Sequence, residues 1–101
     1  MTASTAPVPR DAFSLLPAYV APRTATEEKI AEIWRRALGV DRIGIMDSYE
    51  DLGGSSLIAA SIFAEIEKSF GVEIKMAMLV EAPTIEELAR LVDELTGETK
   101  E

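Results

Sequence analysis

The residues with the greatest chemical potential lie in one run, Asp47-Ser-Tyr-Glu-Asp-Leu-Gly-Gly-Ser-Ser-Leu57. Two adjacent glycines, Gly53 and Gly54, precede two serines, Ser55 and Ser56, where an apolar stripe at helical spacing begins. A hydroxyl placed there is displayed at the amide-rich, positive end of a helix dipole, a setting that favours a phosphate group. The same residues also make an ordinary helix start, because serine is among the best N-cap residues. A phosphate-cradling loop ending in lysine is excluded, since no Lys follows the glycines. Asp47, Glu50 and Asp51 supply carboxylates, but acid–base work needs a pocket that shifts a pKa, and a small helical chain offers no obvious one.

Composition narrows the chemistry further. The chain has no His and no Cys, which removes disulfides, imidazole or thiolate metal sites, cysteine nucleophiles and every His-based triad. A serine without a histidine in its own chain lacks the usual activating base. Ten Lys and Arg against eighteen Asp and Glu leave a net charge of −8, a field that repels phosphate backbones and anionic lipid surfaces. No run approaches the roughly twenty apolar residues that span a bilayer, and the start has no signal-peptide pattern. The expectation is a cytoplasmic protein, monomeric, with neither nucleic acid nor membrane as partner.

The elements that must position the serines follow from length and period. At 101 residues, 48% of them hydrophobic, the chain has material for one core and one domain. Four of the five prolines, Pro7, Pro9, Pro17 and Pro22, fall before Thr24, which argues against a helix there and predicts a flexible linker over residues 1–23. From Thr24 the period is helical: Ile30, Ile33, Trp34, Ala37 and Leu38 make one face, Thr24 and Glu27 have capping-box spacing, and Gly39 stands at the C-cap. Val40 to Ser55 reads as a long ordered connection pinned by Val40, Ile43 and Ile45. A second helix is expected from Ser55 or Ser56 to Gly71, one or two turns over Met76–Glu81, and a last helix from Thr84, with Glu87 completing a second capping box, to Gly97. Strand-like alternation is missing, so helices pack on helices: an all-α, small four-helix bundle of three long helices and one short, spanning 24–97, with residues 98–101 as a tail.

The string DSYEDLGGSSL, followed by FGVEI and EAPTIEELARLV, resembles the peptidyl carrier (thiolation) domains of nonribosomal peptide synthetases, within the phosphopantetheine-binding acyl carrier proteins. The resemblance runs from about Tyr19 to Leu95 and includes YVAPRT and EEKIAEIWRRALGVDRIGIMDSY. The family's consensus reads roughly D-N-F-F-E-L-G-G-H-S-L, and its modified serine falls on Ser56. Leu52, Gly53, Gly54, Ser56 and Leu57 match. Ser48 replaces the Asn, Tyr49 and Glu50 replace the two aromatics, Asp51 replaces Glu, and Ser55 replaces the residue before the modified serine.

The resemblance implies a bundle of acyl-carrier-protein type with no catalysis of its own. A phosphopantetheinyl transferase, using coenzyme A and a divalent cation, would attach 4'-phosphopantetheine to Ser56, with Gly53, Gly54 and Leu57 forming the site. The terminal thiol would hold an aminoacyl, peptidyl or acyl group as a thioester. Partners would be an adenylation or other loading enzyme and downstream condensation, thioesterase or tailoring enzymes, docking on Leu57, Ile58, Met76 and Leu79 with acidic residues around them. LPAYVAPRT is similar to the linker after an adenylation domain, so the chain is either an excised carrier or a free-standing relative that kept its linker. The competing reading is an unmodified helical module that docks through its acidic face.

Overall fold

The computed structural model describes residues 8–10 and 18–97, the side chains of Met76 and Val80 excepted. It contains α1 (Ala25–Leu38), α2 (Ser56–Phe70), α3 (Met76–Glu81) and α4 (Ile85–Thr96). Among the described residues there is no strand, only the isolated bridges Val8–Val40 and Ser48–Thr84. The three long helices are those that the apolar periods predict, the short one falls on Met76–Glu81, a run too brief for periodicity to assign, and none is long and apolar enough to cross a membrane.

Each long helix starts on a hydroxyl cap. In α1 the Thr24 hydroxyl accepts from the Glu27 amide at 3.0 Å, and the Glu27 carboxylate accepts from the Thr24 amide at 3.3 Å. This is the reciprocal box that the spacing predicts. Acidic Glu27 and Glu28 in the first turn and basic Arg35 and Arg36 in the last suit the helix dipole. In α4 only half of the predicted box forms. The Thr84 hydroxyl accepts from the Glu87 amide at 3.3 Å, but the Glu87 carboxylate takes the Thr84 hydroxyl proton at 3.1 Å instead of reaching back to a backbone amide. The side chain satisfies its partner's own donor, so Glu87 caps less of the helix end than the sequence predicts. Gly39, Gly71 and Gly97 end their helices in the left-handed region.

The core is the meeting of the three long helices: Ile30, Ile33 and Trp34 from α1, Ile62 and Ile66 from α2, Leu88 and Val92 from α4, all buried. The long connection from α1 to α2 belongs to the same cluster through Val40, Ile43, Ile45, Tyr49 and Leu52. Burying a large apolar side chain contributes about 1.5–3 kcal/mol relative to exposure, so these four aliphatic anchors and one aromatic hold the connection in one shape. This matters because its far end carries the serines.

The described parts of the expected linker lie against this bundle. Val8 donates to the Gly39 carbonyl and accepts from the Asp41 amide, both at 2.7 Å, and the Val20 carbonyl accepts from Ile45 at 2.9 Å. Arg10 makes a buried, two-pronged ion pair with Asp47, Nε to Oδ2 and Nη2 to Oδ1 at 2.6 Å each. Tyr19 is approached by the guanidinium groups of Arg10, at 5.5 Å, and Arg42, at 4.3 Å. Residues 1–7 and 11–17, and the expected tail at 98–101, lie outside the described residues.

Candidate functional site

Ser56 is the first residue of α2 and is exposed. Ser55, one residue earlier, is the N-cap: its hydroxyl accepts from the Ile58 amide at 3.3 Å and its carbonyl from the Ala59 amide at 2.9 Å. The two serines therefore have different roles. Ser55 spends its oxygen on the helix end, whereas the Ser56 hydroxyl makes no hydrogen bond to another described residue. The first turn of α2 holds no acidic side chain, unlike those of α1 and α4. Its positive end is therefore not offset by a carboxylate from its own first turn, and the first amides have no intrahelical acceptor.

The loop in front of α2 is held by Tyr49. The Tyr49 side chain is buried and meets the Trp34 ring edge-on, with centroids 5.4 Å apart and planes at 72°. Its amide donates to the Pro83 carbonyl at 2.9 Å, its carbonyl accepts from the Gly54 amide at 3.1 Å, and its hydroxyl donates to the Ser55 carbonyl at 2.7 Å. Gly53 sits at φ 82°, where a side chain is strained. Gly54 lies on the Tyr49 ring so closely that a Cβ there would come within 2.2 Å of it. The double glycine is thus required by a left-handed turn and by a ring underneath. Burial pushes the Tyr49 phenol above its ordinary value of 10.0.

A groove of about 560 Å³ opens beside the serine, lined by Tyr49, Glu50, Gly54, Ser55, Ser56, Ala59, Leu79 and Pro83. The structure brings Ser56 and Leu79 onto this one groove, and Leu57 stands next to Ser56 with 83% of its surface exposed. Ile58 is half-buried against the core, and Met76 opens α3, its side chain outside the described residues. Glu50 points to solvent at the groove's edge, as expected of a charge standing where the family consensus has an aromatic. Among the described residues no group of three or more acidic side chains is placed to hold a metal ion. An exposed hydroxyl, a helix start without a first-turn carboxylate and an open groove beside it fit a covalent phosphodiester bearing a flexible arm.

Two features of the site were not read from the sequence. Tyr49 registers there only as a departure from a consensus. The Arg10–Asp47 pair spans 37 residues, and no local pattern marks it.

The family described as "Phosphopantetheine attachment site" matches residues 28–92. Chondramide synthase of Chondromyces crocatus is 49% identical over 81 residues, 80% of this chain, and the chain spans 2% of that synthase's length. A peptidyl carrier protein solved in complex with the phosphopantetheine transferase Sfp and coenzyme A is 43% identical, with a TM-score of 0.73 over 75% of this chain and 99% of that one. The structure of McyG A-PCP complexed with phenylalanyl-adenylate is 30% identical, with a TM-score of 0.71 over 73% of this chain and 12% of that one. With a matched span that includes α2, its serines, α3 and most of α1 and α4, the chain belongs to the phosphopantetheine attachment family as a peptidyl carrier domain, which is modified by another enzyme and is not itself a catalyst.

Proposed function

We propose that Ser56 is the attachment residue, within a carrier domain at 24–97 that follows a linker at 1–23 and precedes a tail at 98–101. The observation that carries this reading is the exposed Ser56 hydroxyl at the first position of α2, beside a Ser55 whose own hydroxyl is taken up by the Ile58 amide. In the attachment step the Ser56 oxygen bonds to phosphorus, a phosphoanhydride bond of coenzyme A breaks, and 3',5'-adenosine diphosphate leaves. The serine proton passes to a base of the transferase, because this chain has no histidine to take it. Once bound, the arm supplies a thiol that carries cargo as a thioester. The α2 amides then face a phosphodiester anion, and Gly53, Gly54 and Leu57 shape its surroundings.

Partners follow from the same likeness. One structural neighbour is a complex with a phosphopantetheine transferase and another an A-PCP complexed with phenylalanyl-adenylate. For this chain we assign a transferase, an adenylation or other loading enzyme, and downstream condensation, thioesterase or tailoring enzymes. They dock on Leu57, Ile58, Met76 and Leu79, and the chain acts as a monomer in the cytoplasm. Tethering keeps cargo at high effective concentration near each enzyme, so individual contacts stay weak and exchange fast.

The test is mass. Incubated with coenzyme A, Mg²⁺ and a promiscuous phosphopantetheinyl transferase, the chain gains one phosphopantetheine, and Ser56→Ala gains none. Modification of Ser56→Ala, or no gain by the native chain, overturns the assignment.

A further inference from the structure

We infer that the Tyr49 hydroxyl is a positioning device for the modification of Ser56, an addition of this chain to the phenylalanine that the family consensus has there. The inference rests on the assignment of Ser56 as the attachment residue.

Four contacts converge on Tyr49. Its ring is clamped between Trp34, edge-on at 5.4 Å, and Gly54, where a Cβ would come within 2.2 Å. Its amide bonds the Pro83 carbonyl at the start of α4, and its hydroxyl reaches the Ser55 carbonyl at 2.7 Å. The hydroxyl oxygen is therefore fixed by the core before it meets the helix start. The Ser55 carbonyl already accepts from the Ala59 amide. A second donor on the same oxygen fixes the orientation of the peptide that joins Ser55 to Ser56, so the Ser56 Cα–Cβ bond leaves the helix in one direction. Helix ends fray, and a frayed first turn would scatter the nucleophile. Neighbouring support is thin: Glu50 points to solvent at the position of the second consensus aromatic. A phenol keeps its proton at neutral pH, so the hydroxyl donates to the Ser55 carbonyl throughout.

Positioning a nucleophile in a partner's active site acts on the chemical step more than on docking. Leu79, on α3, keeps its place when only the hydroxyl is removed, and a loosened first turn still presents Leu57 at the surface, so docking changes little. For Tyr49→Phe in the full chain, transferase kinetics with coenzyme A should show kcat reduced about three- to ten-fold with KM within about two-fold. Amide exchange should quicken at Leu57, Ile58 and Ala59 and stay unchanged in α1 and α4. A wild-type kcat for Tyr49→Phe overturns the inference. So does a lower kcat accompanied by faster exchange throughout α1 and α4, which marks general loosening. A second measurement reads the bond itself: in mixed H₂O and D₂O the Ser55 carbonyl carbon of the native chain should show, beyond the isotope shifts from the Ser56 and Ala59 amides, a further one that Tyr49→Phe lacks, and its absence overturns the inference. Failure of the native chain to accept the arm at Ser56 overturns the underlying assignment instead, a result that the isotope shift does not share.

Discussion

Ser55 and Ser56 carry the same hydroxyl and differ in what it is bonded to. The cap bond of Ser55 to the Ile58 amide is the kind whose loss costs about 0.5–2 kcal/mol, so that oxygen is committed to structure. Ser56, exposed and one position further on, is free for chemistry. Tyr49 separates these roles by holding the peptide between them. Its raised pKa sets a sign for stability against pH. A phenol harder to ionise in the folded chain than in the unfolded one retains its proton on folding, so its contribution is complete below pH 10.0 and is lost as pH rises through the folded value. Urea melts of the native chain across the alkaline range should lose stability more steeply above pH 10.0 than those of Tyr49→Phe. Parallel curves for the two proteins would contradict the burial of that hydroxyl.

At the scale of elements, the helices were legible because each signal is local. Apolar residues recur at helical spacing, hydroxyls stand at the caps, and glycines follow the last turns. Trp34 was expected in the core from its spacing alone and is fully buried. Trp34→Ala should cost about 3–5 kcal/mol in denaturant melts, and Trp34→Phe clearly less, because the buried indole nitrogen has no hydrogen-bond partner to lose. A loss well under 1 kcal/mol for the alanine variant would place the ring outside the core. What the sequence hid is the docking of the segment before Thr24. Its prolines predict a flexible linker, but they do not forbid contacts by the described residues 8–10, where Val8 bridges to Val40 and Arg10 pairs with Asp47. Removing one partner of a buried ion pair leaves the other charge without compensation. Arg10→Ala should therefore destabilise the chain by about 3–5 kcal/mol, and melts of that variant matching the native chain would show that the segment does not hold in solution.

For the whole molecule, charge and topology meet at the same place. Residues 47–94 hold eleven acidic and three basic side chains, which accounts for −8 on its own. This span runs from the loop before Ser56 into α4, so the acidity is carried by the part of the chain that holds the serine. A partner with a basic face would be drawn to that part of the chain, and salt would weaken the attraction. The absence of His and Cys suits a carrier: the scaffold has no base to activate its own serine and no thiol to intercept a thioester. The family resemblance made the attachment chemistry legible, since composition only excludes other chemistries and the glycine–serine run alone also reads as a helix cap. None of these could show that Gly54 is required by a ring beneath it, because that contact exists only once the connection folds back on α1. The most direct test of the account is fragmentation mass spectrometry on the native chain after incubation with coenzyme A, Mg²⁺ and a phosphopantetheinyl transferase. The account predicts one added phosphopantetheine on Ser56 and none on Ser55; an unmodified chain, or an arm on any other residue, would contradict it.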